Sequence, residues 1–173
     1  DFDYAVRMEA SRAIRRAAPE VAVPALLSVA RDHEDAYVQF RAAVLLYGFG
    51  ADRAHAFFEE AFDLGNDRVR AAAYDYFEHA PDPAMVPKLL AALDRETSEF
   101  VRPALVRALA AHDESRAVRE RLVADIARGE AYFRGAVIEA LGDYGASYAV
   151  DALIPIVGQD GPLRDDALLA LGK

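Results

Sequence analysis

The stretch Phe133-Arg134-Gly135-Ala136-Val137-Ile138-Glu139-Ala140-Leu141-Gly142-Asp143-Tyr144-Gly145-Ala146-Ser147-Tyr148-Ala149-Val150-Asp151-Ala152-Leu153-Ile154 carries the pattern that decides the fold. Val137 and Leu141 follow Phe133 at four and eight residues, which places all three on one face of a helix. Gly145-Ala146-Ser147 then breaks the run. Beyond it Val150, Leu153, Ile154 and Val157 fall at i, i+3, i+4 and i+7, the stripe of a second amphipathic helix. Neither helix can bury its stripe alone, so the segment reads as a hairpin that needs neighbours.

The same unit runs through the chain. An apolar anchor followed by Arg recurs at Val6-Arg7, Phe40-Arg41, Val69-Arg70, Val101-Arg102, Phe133-Arg134 and Leu163-Arg164, with spacings of 34, 29, 32, 32 and 30 residues. Two short helices and two turns need about that length. Ala10 and Ile14, Ala73 and Phe77, Leu105 and Leu109, and Ala167 and Leu171 repeat the first-helix spacing. Val23, Leu26, Leu27 and Ala30, and Val86, Leu89, Leu90 and Leu93, repeat the second. Pro24 and Pro87 mark helix starts, where a missing N–H is tolerated. Asp52, Asp67, Asp82 and Ser98 are the expected N-caps, and Pro155 is expected to kink its helix or end it early. Sustained period-two alternation is absent, and good helix formers dominate. The expectation is an all-α, right-handed α-solenoid of stacked antiparallel helix pairs. It forms one domain over residues 1–173, with five hairpins plus one terminal helix and repeat anchors near 6, 40, 69, 101, 133 and 163.

Composition narrows the function. Twenty Lys and Arg against 29 Asp and Glu give a net charge of −9, unsuited to holding a phosphate backbone, so no nucleic-acid partner is expected. With no cysteine there is neither a disulfide framework nor a thiolate nucleophile, and the compartment is left open. No run approaches the roughly 18 apolar residues of a membrane span, so no membrane partner is expected. The chain opens at Asp1 without a signal-peptide pattern, which leaves room for a leader outside it.

The residues Ala140-Leu141-Gly142 through Ala149-Val150-Asp151-Ala152-Leu153-Ile154, with the Val-Pro-x-Leu-Leu of Val23 to Leu27 and Val86 to Leu90, resemble HEAT-like repeats of the phycobilisome-lyase type. The resemblance covers essentially the whole chain and implies a HEAT/armadillo-like superhelix. It also implies a ladder in which the repeat Arg bonds an Asp at the end of the preceding second helix. The rungs would be Asp32 to Arg41, Asp63 to Arg70, Asp94 to Arg102 and Asp160 to Arg164, while Arg134 follows Ala127-Arg128-Gly129 and has no such Asp. On this reading Arg102→Ala costs on the order of 1–3 kcal/mol by stranding Asp94.

No catalytic, cofactor-binding or metal site is expected. HEAT-repeat deoxyhypusine hydroxylases carry His-Glu pairs after the repeat Arg; here those positions are Met8-Glu9, Ala42-Ala43, Ala71-Ala72, Pro103-Ala104, Gly135-Ala136 and Asp165-Asp166, without a histidine. His33-Glu34 lies in a charged loop, and the i, i+4 pairs His55 with Glu59 and Asp75 with His79 each supply two ligands where zinc needs at least three. The serines sit in no G-x-S-x-G elbow, and no Gly-rich phosphate loop occurs.

Aromatic residues are unevenly placed: ten of the eight Tyr and nine Phe lie between Tyr37 and Phe77. Phe49 and Phe62 fall at positions held elsewhere by residues outside the apolar stripe, which suggests an exposed pair that anchors a peptide. With His55, Glu59, Lys88 and Arg121 on the outward side of the second helices, they form the expected partner surface. A non-enzymatic scaffold binding a protein or peptide through its repeats is the leading reading. An enzyme subunit or bilin-lyase-like accessory protein is the alternative that the resemblance brings. The last helix carries Leu168, Leu169 and Leu171, more apolar than a terminal cap, so either a longer array or a covering molecule is expected there, with homo-association through this helix as one form of cover.

Overall fold

A computed structural model describes residues 3–173; Asp1 and Phe2, where the sequence reading starts its domain, lie outside the described residues, as does the side chain of Ala51. The described residues form α1 (Tyr4–Arg16), α2 (Pro19–Asp32), α3 (Ala36–Leu46), α4 (Ala51–Glu60), α5 (Asp67–His79), α6 (Val86–Arg95), α7 (Arg102–Ala110), α8 (Arg116–Asp125), α9 (Ala131–Asp143), α10 (Val150–Val157) and α11 (Pro162–Leu171). No strand occurs among them, and the fold is all-α. Odd-numbered helices begin near the repeat anchors and even-numbered ones follow the breakers. The chain groups into two compact units, Asp1–Ala73 and Tyr74–Lys173, with the division inside α5.

The first-helix stripes are buried where neighbours flank them. Val69, Ala73 and Phe77 on α5 and the run Val101, Leu105, Leu109 leading into α7 are fully buried, and Phe133, Val137 and Leu141 on α9 nearly so. Each such large side chain contributes roughly 1.5–3 kcal/mol by leaving water. The stripe fades on α1, where Val6 and Ala10 are exposed.

The second helices α6 and α10 are turned about one residue from the expected register, whereas α2 keeps it, with Val23, Leu26 and Ala30 buried. On α6 the inward side chains are Leu89, Ala92 and Leu93, with Met85 just before it; on α10 they are Leu153 and Ile156, with Ala149 before it. Val150 and Ile154 consequently face solvent, against expectation. The cause is a 3-10 turn ahead of each helix, Pro83–Met85 and Ser147–Ala149, whose tighter winding brings its last residue inward. Pro155 acts as expected, since α10 ends two residues beyond it at Val157.

Capping differs in detail. The carboxylate of Asp3 accepts from the N–H groups of Ala5 and Val6, that of Asp35 from Tyr37 and Val38, and that of Asp82 from Ala84. Asn66, not Asp67, caps α5 by accepting from Arg68 and Val69. Gly50 takes the position before α4, leaving Asp52 inside that helix.

His112, in the turn between α7 and α8, is 1 % exposed, and neither ring nitrogen finds a hydrogen-bond partner among the described residues. Burial lowers its pKa from 6.5, opposed in part by Glu114 and Asp82. The folded chain therefore takes up this proton less readily than the unfolded chain. Stability is full above about pH 6.5 and falls as pH drops below it. Exposed His79, whose pKa is raised by its bond to the Asp75 carbonyl, has an effect of opposite sign. Urea melts at pH 7.5 and 5.5 are expected to show a loss of stability on acidification that His112→Leu removes. Equal pH dependence in the two proteins would assign the titration elsewhere.

Candidate interaction surface

The repeat arginines are held by partners of several kinds and not by carboxylates alone. Arg70 donates to the Leu64 carbonyl at 2.8 Å and to Asp67 at 2.7 Å. Arg134 donates through Nε to the Ile126 carbonyl at 2.7 Å. In both, the guanidinium meets a carbonyl at the C-terminal end of the preceding second helix, where acceptors lack intrahelical donors and the dipole is negative. Arg164 lies 3.8 Å from Asp160 and 3.4 Å from Asp165, so this rung exists as a long ion pair. Arg41 reaches Ser11 Oγ at 3.4 Å, and among the described residues it forms no ion pair with Asp32.

The Asp94 to Arg102 rung is incorrect. The Arg102 guanidinium lies 3.7 Å from the centroid of the Phe133 ring, while the Asp94 carboxylate is bound 2.7 Å away by Arg121. A flat guanidinium stacks well on a ring face, and here that joins the start of α7 to α9. Arg102→Ala is expected to cost about 1–2 kcal/mol through lost stacking and packing. Adding Asp94→Ala should change the total only by that substitution's own small effect, within about 0.5 kcal/mol. Strong coupling between the two in urea melts would restore the ladder.

Of the expected partner residues, Phe62 is 8 % exposed and belongs to the core, which corrects its assignment to an exposed aromatic pair. The repeat containing it is short, so α4 follows its own stripe of Ala54, Phe57, Phe58 and Ala61, and the 3-10 turn Ala61–Asp63 winds Phe62 inward beside it. Phe49 is half-buried in the turn Tyr47–Phe49, and His55 and Glu59 are half-buried on α4. Lys88 is exposed on α6. Arg121 is occupied: it joins Asp94 to Asp125, which is 3 % exposed and 2.8 Å away. Burial opposes its charge, but the bonds to Asp125 and Asp94 outweigh that and raise its pKa.

Asp75, Glu78 and His79 place ligand atoms within 4.8 Å of one another on α5. Their charge is already answered. Glu78 accepts from Arg107 Nε at 3.1 Å and from the Tyr144 hydroxyl at 3.2 Å, which ties α5 to α7 and to the end of α9. Burial, reinforced by Glu78, raises the Tyr144 pKa to about 12, so the phenol keeps its proton and donates.

Exposed apolar side chains are spread over the described residues, among them Tyr4, Val21, Ile154 and Leu169, and two aromatic ones fall at the starts of first helices in the C-terminal unit. Phe100 and Tyr132 are 63 % and 61 % exposed, and each stands one residue before its anchor, as does exposed Pro162. Beside Tyr132 a groove of about 400 Å³ runs between α7, α9 and α11, with Pro103, Gly135 and Leu163 as its apolar lining and Glu139 and Asp166 as its charged groups. A Cβ on Gly135 would come within 3.1 Å of the Asp166 carboxylate, so the missing side chain lets that acid approach α9. The outward positions of the second helices do not include these residues, but an aromatic at anchor minus one, Phe100 and then Tyr132, is visible in the sequence. Among the described residues no helix is long and apolar enough to cross a membrane.

A sequence model built from HEAT repeats matches residues 1–78 and 86–172. A comparison with curated proteins finds no match.

Proposed function

Because the chain belongs to the HEAT-repeat family, we propose that it is a non-enzymatic scaffold that binds a protein partner through the first-helix face of residues 74–173. The groove of α7, α9 and α11 with exposed Tyr132 in its lining, together with exposed Phe100 just before α7, carries this reading. Aromatic side chains that keep so much area in water gain most from a partner that covers them. Glu139 and Asp166 in the groove, on a chain of net charge −9, fit a partner segment with apolar side chains flanked by Lys or Arg. The finer resemblance to the phycobilisome-lyase type is a likeness of repeat sequence, and such a likeness by itself assigns no activity.

Affinity capture with the purified chain tests the proposal. A stoichiometric protein partner is expected with the wild type and with Ile154→Glu, an exposed second-helix variant, but not with Phe100→Glu combined with Tyr132→Glu. Capture that survives the double substitution would overturn the choice of face. A prosthetic group or substrate turnover in the purified protein, without a protein partner, would overturn the scaffold.

A further inference from the structure

In the N-terminal unit, α1, α2 and α3 enclose an open-sided cleft of about 310 Å³. Ile14, Leu26, Val29, Val38 and Leu45 form its walls. Its polar lining is Arg7, Ser11, Tyr37 and Arg41, with no carboxylate. Arg7 and Ser11 are four residues apart on α1, as are Tyr37 and Arg41 on α3, so each pair shares a helix face. Ser11 is 8 % exposed, and its hydroxyl accepts the single long bond from Arg41 at 3.4 Å. Neither guanidinium meets a carboxylate, a backbone carbonyl or a ring among the described residues, whereas Arg70, Arg102, Arg134 and Arg164 each do. A third guanidinium, Arg68, lies over the Tyr37 ring at 5.8 Å.

Two unanswered cations beside an apolar cleft, in a chain that is otherwise acidic, call for an anion attached to hydrocarbon. The volume is roughly twice the ~150 Å³ that holds a six-carbon ring, which suits a chain of about ten carbons. Peptide groups would fit poorly, because the walls offer their buried N–H and C=O groups almost no partners. We propose that this cleft binds a fatty acid of about ten carbons, with its alkyl chain against Ile14, Leu26 and Leu45 and its carboxylate between Arg7 and Arg41. The Ser11 hydroxyl, already oriented by Arg41, supplies a further donor to that carboxylate.

Calorimetric titration of decanoate into the full chain, below its micelle-forming range, tests this. Saturable one-to-one binding with Kd below about 1 mM is expected. Decanol, lacking the carboxylate, should bind at least about tenfold more weakly. Arg7→Ala with Arg41→Ala should bring decanoate down to the level of decanol, and Ala10→Trp, filling the cleft from an exposed position, should abolish both. Absence of saturable binding to natively folded wild type, equal affinities for decanoate and decanol, or unchanged decanoate binding by Ala10→Trp would each overturn the proposal. The wild-type comparison of acid with alcohol does not depend on any variant folding.

Discussion

Arg121→Ala is expected to destabilise the C-terminal unit by about 3 kcal/mol, the largest loss from any single charge removal considered. The guanidinium bonds Asp125 at 2.8 Å, and that side chain is only 5 % exposed, so truncation leaves a carboxylate buried without its counter-charge. Asp94, the other partner, is 66 % exposed and recovers water when released, so Asp94→Ala should cost less than about 1 kcal/mol. Replacing both members of the buried pair by apolar residues, Arg121→Met with Asp125→Leu, should recover most of the loss, because the cost lies in the stranded charge. Urea melts of the four proteins check the order. Equal losses for Arg121→Ala and Asp94→Ala would show that Asp125 is not the group that matters.

Gly142→Ala is expected to destabilise by about 2 kcal/mol, although alanine is the better helix former by about 1 kcal/mol. A Cβ at Gly142 would lie 2.7 Å from the Ala170 Cα and 2.8 Å from its Cβ. The obstacle is backbone, so α11 must move away from α9 before the methyl group fits. Thermal melts should show Tm lowered by roughly 4–8 °C, with amide exchange accelerated first in residues 162–171. Gly65→Ala is the control: nothing lies within 4 Å of its Cβ position, and the change should be neutral or slightly stabilising. Identical behaviour of the two variants would mean that α9 and α11 are not in close contact.

The arrangement of helices was legible because burial and helical period coincide along the first helices. Val69, Ala73 and Phe77 are spaced as the sequence shows them and are fully buried. Register was less legible wherever a 3-10 turn intervened, as at Ser147–Ala149, since a change from 3.6 to 3.0 residues per turn leaves no mark in a spacing count. The arginine partners were least legible. A guanidinium accepts a carboxylate, a carbonyl, a hydroxyl or a ring as neighbour, and Arg164, Arg134, Arg41 and Arg102 each have a different one. Sequence distance to the nearest Asp does not choose among them. Phe62 shows the same limit for exposure, because its place in the core follows from the local winding of a short repeat and not from the positions equivalent to it elsewhere.

Partner binding at the first-helix face can be read directly at Phe100 and Tyr132, whose rings are themselves reactive reporters. Hydroxyl-radical footprinting of the chain alone and bound to its captured partner should show Phe100 and Tyr132 losing most of their oxidation, with Leu163 following and Ile154 on α10 unchanged. Protection of Ile154 and other exposed second-helix side chains, with Phe100 and Tyr132 oxidised as in the free chain, would contradict it.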